Sequence, residues 1–379
     1  MDSPQSKQTT LLAWSAPTRA FAVWQLRGLA LTPNGAVRLD PASAELSHDQ
    51  YPPGSYRGRN YYNGSTFLFG EALSPTLPLD PAVIELVPSW NADMPPGSWL
   101  ELQVRLQANE TWSGWYSFGV WAPDSGTVAR HSVPDQRDEQ ARVAVDVLAL
   151  KSPAQAFQLR LRLCSVSPAA LPEVRLLTVA CSPAYAPSAT LEPGDPALWN
   201  TVLNVPQCSQ MVYPDGGNVW CSPTTIAMLL GYWQGRGSCS QRVHHAVAGV
   251  YDWCYDGHGN WPFNTAYAAS QGMVAYLTRF ASLRQAERWI AAGVPLALSY
   301  AWSDGALTGA PIASSNGHIV ALVGFDAAGN PVVNDPAAPS DEQVQRVYDR
   351  NELETLWLAH SGGLVYIVYP PGHAVPDEI

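Results

Sequence analysis

The sequence predicts two folded parts in series, an all-β sandwich followed by an α+β domain. Three observations carry that expectation. Apolar and polar residues alternate with period two across the first half, where helical periodicity is scarce. Beyond residue 200, apolar residues recur at i, i+3, i+4 and i+7 before strand-like runs return. The two regimes meet at residues 183–196, a stretch rich in proline and small residues that reads as a linker. With 379 residues and 46% hydrophobic content, the chain is long enough for two cores.

In the first half, Trp99, Leu100, Leu102, Val104 and Leu106 alternate with Glu101, Gln103 and Arg105. Val143, Val145 and Val147 form a second alternating set. Leu159, Leu161 and Leu163 alternate with Arg160 and Arg162, and Val174, Leu176 and Thr178 mark a further strand. Alternation with one wet face, broken by turn residues, means an antiparallel sheet. Residues 20–182 are predicted as a jelly-roll-like or lectin-like sandwich within an accessory domain of residues 1–182. A linker follows at 183–199, then a second domain at 200–379. Trp112, Trp115 and Tyr116, with Trp90, Trp99 and Trp121, admit two readings: sandwich core, which is preferred, or an aromatic platform for carbohydrate.

In the second half, Ile226, Leu229, Leu230 and Trp233 lie on one face of a helix. Residues 241–250 and 265–275 are predicted helical, as is 282–290, capped by Ser282 and ended by Gly293. Strands are predicted at 294–301, 319–325, 331–333 and 364–368, with a short helix at 351–358 capped by Asn351. Helices first and an antiparallel sheet second make an α+β domain whose two lobes face each other.

The net charge of −11 argues against nucleic acid and anionic membrane surfaces as partners. No run of eighteen apolar residues exists, so no transmembrane segment is predicted. Residues 1–7 lack the basic-then-apolar layout of a secretory signal. The location is therefore cytoplasmic, or secreted or cell-envelope if a signal has been removed. The cysteines are Cys164, Cys181, Cys208, Cys221, Cys239 and Cys254. Cys164 with Cys181, and Cys239 with Cys254, are possible disulfides; buried free thiols are the plainer alternative. His244, His245 and His258 with Cys239 and Cys254 match no zinc spacing, so no metal is expected. Asn63-Gly64-Ser65 and Asn109-Glu110-Thr111 fit the glycosylation triplet, a pattern that chance often produces.

The chemistry concentrates in three places. Cys221 precedes Ser222-Pro223 at the mouth of the first helix, and a helix N-terminus lowers a thiol pKa. His318 opens the apolar run Ile319-Val320-Ala321-Leu322-Val323 and can supply an imidazolium and a proton for a leaving group. Asp335 follows by one strand, a turn at 326–330 and a second strand. Adjacent antiparallel strands bring the start of one beside the end of the next, so Asp335 can hold the His318 tautomer. Asn334 is the alternative orienting group. The oxyanion of a tetrahedral intermediate needs donors. The Cys221 N–H is one, and Gln210 is the preferred second, with Gln207 behind it.

The strings VPQCSQ, WCSPTTIAMLLGYW, GVPLALSYAW, NGHIVALVGFDAAGNPVVNDPA and RVYDRNELETLWLAHSGGLVYIVYP, in that order, resemble the papain-like cysteine peptidases of the double-glycine, bacteriocin-leader type, family C39. In particular, they resemble its stand-alone bacterial relatives. The resemblance covers roughly residues 200–370. It implies a papain-like fold, Cys221 as nucleophile, His318 as base, Asp335 as orienting acid, Gln210 in the oxyanion hole, a peptide or protein substrate, and no cofactor. Two departures stand out. Ser222 replaces the glycine common after the cysteine, and residues 211–218 lengthen the glutamine-to-cysteine segment. No G-x-x-x-x-G-K-[ST] motif is present, which sets the chain apart from transporter-fused leader exporters. The rival readings are acyl transfer to an amine by the same triad, as in transglutaminase-like enzymes, and a catalytically inactive binding module.

Overall fold

The computed structural model describes residues 9–50, 61–108, 110–183 and 191–376. The chain start, Asn109 and residues 184–190 of the expected linker lie outside the described residues. The chain forms two compact units. One combines Leu11–Ala184 with Tyr251–Ala266; the other is built on Tyr185–Val250 and Tyr267–Ile379.

In the first unit, thirteen described strands form one connected antiparallel network. Its spine is the pairing of Ser98–Ala108 with Val147–Ser165, in register from Ala156 opposite Gln107 to Ser165 opposite Ser98. Leu100, Leu102, Val104, Leu159, Leu161 and Leu163 are fully buried on one side, as their alternation requires. Glu101, on the other side, is also buried. It accepts hydrogen bonds from the Tyr61 and Tyr62 hydroxyls and, at 2.7 Å, from Ser117 Oγ. Val147–Ser165 pairs with Leu77–Asp93 along its first half and with Thr66–Leu73 from Arg160 onward. Because that strand changes partner midway, the network is not divided into two separately hydrogen-bonded sheets.

Three expectations are corrected or decided here. Val143, Val145 and Val147 do not share a strand. Val145 has φ 61° in the turn joining Ala141–Ala144 to Val147–Ser165. In Glu173–Ser182 the register shifts between Val174 and Leu176, and Leu177 takes the fully buried place. Trp90, Trp99 and Trp121 are core residues. The Trp115 ring lies against the guanidiniums of Arg105 and Arg160, at 4.9 and 4.3 Å.

Residues 251–266 are part of this unit. Asp252 is fully buried, and its Oδ1 accepts from the backbone N–H groups of Ser132 (2.9 Å), Cys254 (3.0 Å) and Tyr255 (3.1 Å). Phe263 packs edge-on to Trp90 and tilted to Trp121.

The second unit carries a seven-stranded antiparallel sheet. Its order is Val274–Arg279, Leu364–Tyr369, Leu296–Trp302, Ser315–Phe325, Pro331–Asn334, Gln345–Val347, with Thr201–Val202 also paired to Ser315–Phe325. Helix Cys221–Gln234 packs on this sheet. Thr225 Oγ1 donates to Ile319 O (3.0 Å) and Trp233 Nε1 to Val368 O (2.8 Å). The helix is not one-faced as expected. Every residue from Ser222 to Gly231 is buried, because helix Cys239–Val250 also packs against it.

Other differences are local. The helix predicted at 265–275 runs Trp261–Ser270. Gly272, at φ 89°, ends the turn before strand Val274–Arg279. Asp349, not Asn351, caps the last helix, accepting from the Asn351 and Glu352 N–H groups. Ser282 occupies an N-cap, yet its hydroxyl donates to Glu192 (2.7 Å), while Glu354 accepts from Leu283 N–H (2.9 Å). The disulfide joins Cys208 to Cys239, Cα atoms 5.5 Å apart, so Cys239 is unavailable to Cys254. Cys164 and Cys181 are buried free thiols, and Cys254 is buried. Burial pushes the Cys181 thiol up to about 12, which leaves it unreactive. Among the described residues, no helix is long and apolar enough to cross a membrane.

Candidate active site

Cys221 is the first residue of its helix, half-buried, with Trp220 at the N-cap. Trp220 is held from below by Tyr213 and His244, at ring separations of 5.9 and 5.8 Å. This aromatic cluster occupies His244. Among the described residues no group of three or more His, Cys, Asp and Glu could hold a metal. Ser222, which departs from glycine, is buried in helical backbone with its hydroxyl 3.2 Å from Tyr366 OH.

His318 lies near the start of Ser315–Phe325, directly opposite Tyr300 and almost fully buried. Pairing of Leu322 with Val333 and Ala321 with Asn334 carries the neighbouring strand back toward it. His318 Nε2 and Asp335 Oδ1 are 2.7 Å apart. With Nε2 engaged there, Nδ1 is the nitrogen left for Cys221, and the thiol and imidazole hydrogen-bond. Asp335 is fully buried. Its Oδ1 also accepts from Ala337 N–H (2.9 Å), and its Oδ2 accepts from Tyr348 OH (2.6 Å). Asn334 is committed elsewhere, donating to Val205 O (3.1 Å) and Pro206 O (3.3 Å). It therefore braces the segment leading to Gln210 and does not face the imidazole.

Burial by itself would raise the Cys221 thiol. The hydrogen bond and charge of His318, with backbone donors at Ile319 and Ser222, outweigh it, and the pKa falls below the usual thiol value. Burial would lower His318, but the Asp335 charge and hydrogen bond, aided by Cys221, raise it to about 10. Burial raises Asp335 and the His318 charge more than reverses that, so the carboxyl stays below its ordinary range. The three groups together favour a thiolate–imidazolium–carboxylate set.

Gln210 is buried, and its backbone N–H donates to Pro336 O (2.8 Å). Its side-chain Oε1 has no hydrogen-bond partner among the described residues. Gln207, its alternative, is only half-buried. The lengthened segment at 211–218 folds as tight turns, with Tyr213 N–H on Gln210 O (3.2 Å) and Gly217 N–H on Tyr213 O (3.0 Å). It returns the chain directly to Cys221, and the Cys208–Cys239 disulfide anchors its start.

Sequence reasoning missed Tyr348 and the contact of Tyr300 with His318, and placed Trp302 only as one of several aromatic residues that could line a cleft. Tyr300 and Trp302 present their rings to His318 at 6.1 and 5.5 Å. Period-two alternation from His318's pairing partner was the signal available for these two. Tyr348 carries no such signal, because a turn and a 3₁₀ segment separate it from Asp335.

Comparison with known proteins gives two family matches. Residues 10–182 match the Peptidase C39 N-terminal domain. Residues 202–365 match the Peptidase C39 like family. No curated protein matches the chain. A crystal structure described as a C39-like peptidase from Bacillus anthracis is 19% identical, covering 45% of this chain and 97% of that one, at TM-score 0.33. A family two carbohydrate esterase from Cellvibrio japonicus is 9% identical, covering 59% of this chain and 49% of that one, at TM-score 0.19. At those TM-scores neither likeness carries weight for the fold. The two family matches lie end to end, and on them residues 202–365 of this chain belong to the C39-like peptidase family, with a Peptidase C39 N-terminal domain at residues 10–182 ahead of them.

Proposed function

We propose that this protein is a cysteine peptidase with a papain-like catalytic domain, which hydrolyses a peptide bond of a peptide or protein substrate. One observation carries the reading. A cysteine at a helix N-terminus meets a histidine whose far nitrogen lies 2.7 Å from a fully buried carboxylate. In this reading the Cys221 thiolate attacks the scissile carbonyl carbon. The oxyanion is received by the Cys221 N–H and the Gln210 carboxamide. The His318 imidazolium, protonated on Nδ1, gives that proton to the departing amine as the C–N bond breaks, leaving a thioester on Cys221. Water then attacks the thioester, with neutral His318 accepting its proton, and the acid product leaves as the thiolate–imidazolium pair reforms. Asp335 stays ionised throughout and holds the ring. The first unit, read as a jelly-roll-like or lectin-like sandwich, is an accessory domain; Trp90, Trp99 and Trp121 are buried, and the half-buried Trp112 and Trp115 rings already stack with the Arg105 guanidinium at 4.6 and 4.9 Å, which argues against an aromatic sugar platform.

The test is alkylation by iodoacetamide across pH, with the labelled cysteine mapped. At pH 6 an ordinary thiol is under about 1% thiolate. Cys221 should label faster than that at pH 6, and His318→Ala should abolish the excess. The reactive pair should persist from the lowered Cys221 pKa up to the His318 value of about 10. Labelling at the rate of an exposed thiol, unaffected by His318→Ala, would sink the proposal and favour a binding module on an inactive fold. Product analysis with and without added amine separates hydrolysis from acyl transfer.

A further inference from the structure

Asp335 is the most heavily bonded member of the site, and one of its partners lies outside the nucleophile, base and acid just named. Its Oδ2 accepts a hydrogen bond from Tyr348 OH at 2.6 Å, and both residues are buried. Tyr348 is itself fixed, its backbone N–H donating to Pro331 O (3.1 Å) on the strand that leads to Asp335. A buried carboxylate with one oxygen facing His318 and the other unsatisfied would carry a large desolvation cost and could turn. The phenol removes both problems and, among the described residues, is the one side chain that donates to Oδ2.

We propose that Tyr348 is a positioning residue for the catalytic reaction: its hydroxyl locks the Asp335 carboxylate in the rotamer that holds the His318 ring, and tunes how strongly Asp335 draws the His318 proton. This rests on the peptidase reading above. The logic is electrostatic. A donor on Oδ2 draws negative charge away from Oδ1, which weakens the pull on the imidazolium. A base held too tightly is a poor proton donor to the leaving amine, so the phenol keeps His318 closer to the range where it can both give and take a proton. The groups facing the Asp335–His318 pair are Cys221 from the helix, Tyr300 from the neighbouring strand, and Tyr348, with Arg346 acting on Tyr348 from two residues away. Of these, Tyr348 is the one that donates a hydrogen bond to Oδ2.

The test reads the His318 ring directly, by NMR titration of ¹³Cε1-labelled histidine, with the resonance assigned from its loss in His318→Ala. Tyr348→Phe removes the donor, and the His318 midpoint should move to higher pH. Incorporating 3-fluorotyrosine at position 348 keeps the shape and makes the phenol a stronger donor, so the midpoint should move down. The second probe keeps the question answerable even if Tyr348→Phe folds poorly. In an Asp335→Asn background neither change should move the midpoint, because the effect runs through the carboxylate. A midpoint unmoved by both probes, or shifts that survive undiminished in Asp335→Asn, would overturn the inference. Failure of the peptidase reading looks different: wild-type Cys221 alkylation would then be indifferent to His318→Ala.

Discussion

In the proposed reading, Gln210 acts on the oxyanion and not on the Cys221–His318 pair. Its carboxamide oxygen is buried without a partner, and its backbone is tied to Pro336 on the far side of Asp335. That oxygen can only accept, so the oxyanion role in the proposed reading falls to the Nε2 hydrogens of the same carboxamide. Gln210→Ala should leave the rate of Cys221 alkylation near wild type, since Cys221 and His318 are untouched. Turnover of any peptide that the wild type cleaves should fall by about 10²–10³, the scale of losing one oxyanion donor. Equal losses in alkylation and turnover would remove Gln210 from that role. The same scale governs stability against pH. His318 is raised on folding, so its contribution is fully present below the ordinary imidazole value and is lost as pH rises through about 10. Asp335 is lowered, so its contribution is lost as pH falls through its depressed value.

The element that joins Gln210 to Cys221 is the turn at 211–218. Gly217 packs so tightly that a Cβ there would sit 1.9 Å from Gln210 O and 3.3 Å from Tyr213 Cβ. The backbone cannot relax freely, because Gly217 N–H is bonded to Tyr213 O and the chain enters helix Cys221–Gln234 four residues later. Gly217→Ala should therefore push the Gln210 carbonyl aside. Overpacking of this kind costs about 1–3 kcal/mol, read as a lowered denaturation midpoint. Turnover should fall with it, while helix content by circular dichroism stays unchanged. Wild-type stability and turnover in this variant would mean that the turn yields without moving Gln210. The Cys208–Cys239 disulfide supports the same turn from the other side, with a sequence separation of 31 residues.

At the scale of the whole molecule, the peptidase-family region is not a self-contained run of sequence. Residues 251–266 lie inside the 202–365 match but belong to the compact unit built from residues 11–184. Asp252 ties them there by accepting from Ser132 N–H, and Trp261 N–H donates to Asp146 (2.6 Å); Asp252 also gathers its own segment by accepting from the Cys254 and Tyr255 N–H groups and the Asn260 amide (2.9 Å). Asp252→Ala leaves those buried donors without an acceptor. It should destabilise the protein by about 3 kcal/mol, the scale of a charged hydrogen-bond hub, read by chemical denaturation. A chain cut at residue 200 would leave Asp252 and Phe263 without Ser132, Trp90 and Trp121, and should aggregate on expression. A stable, monomeric 200–379 fragment would show that these contacts are dispensable.

Much of the site is legible in the sequence because its logic is local or follows from pairing. Cys221 before Ser222-Pro223 reads as a helix start, and one strand–turn–strand suffices to bring His318 beside Asp335. Alternation alone marks the buried faces at Leu100–Val104 and Leu159–Leu163. Other features depended on contacts between segments far apart in sequence. The pairing of Cys208 with Cys239, the commitment of Asn334 to Val205 and Pro206, and the placement of Tyr348 on Asp335 follow from which segments the sheet and helices bring together. Period and propensity see one element at a time, so they name the residues that a helix or strand needs. Partners supplied by other segments, including those that decide the protonation of a buried carboxylate, are set by tertiary structure because side-chain hydrogen bonds carry no sequence period.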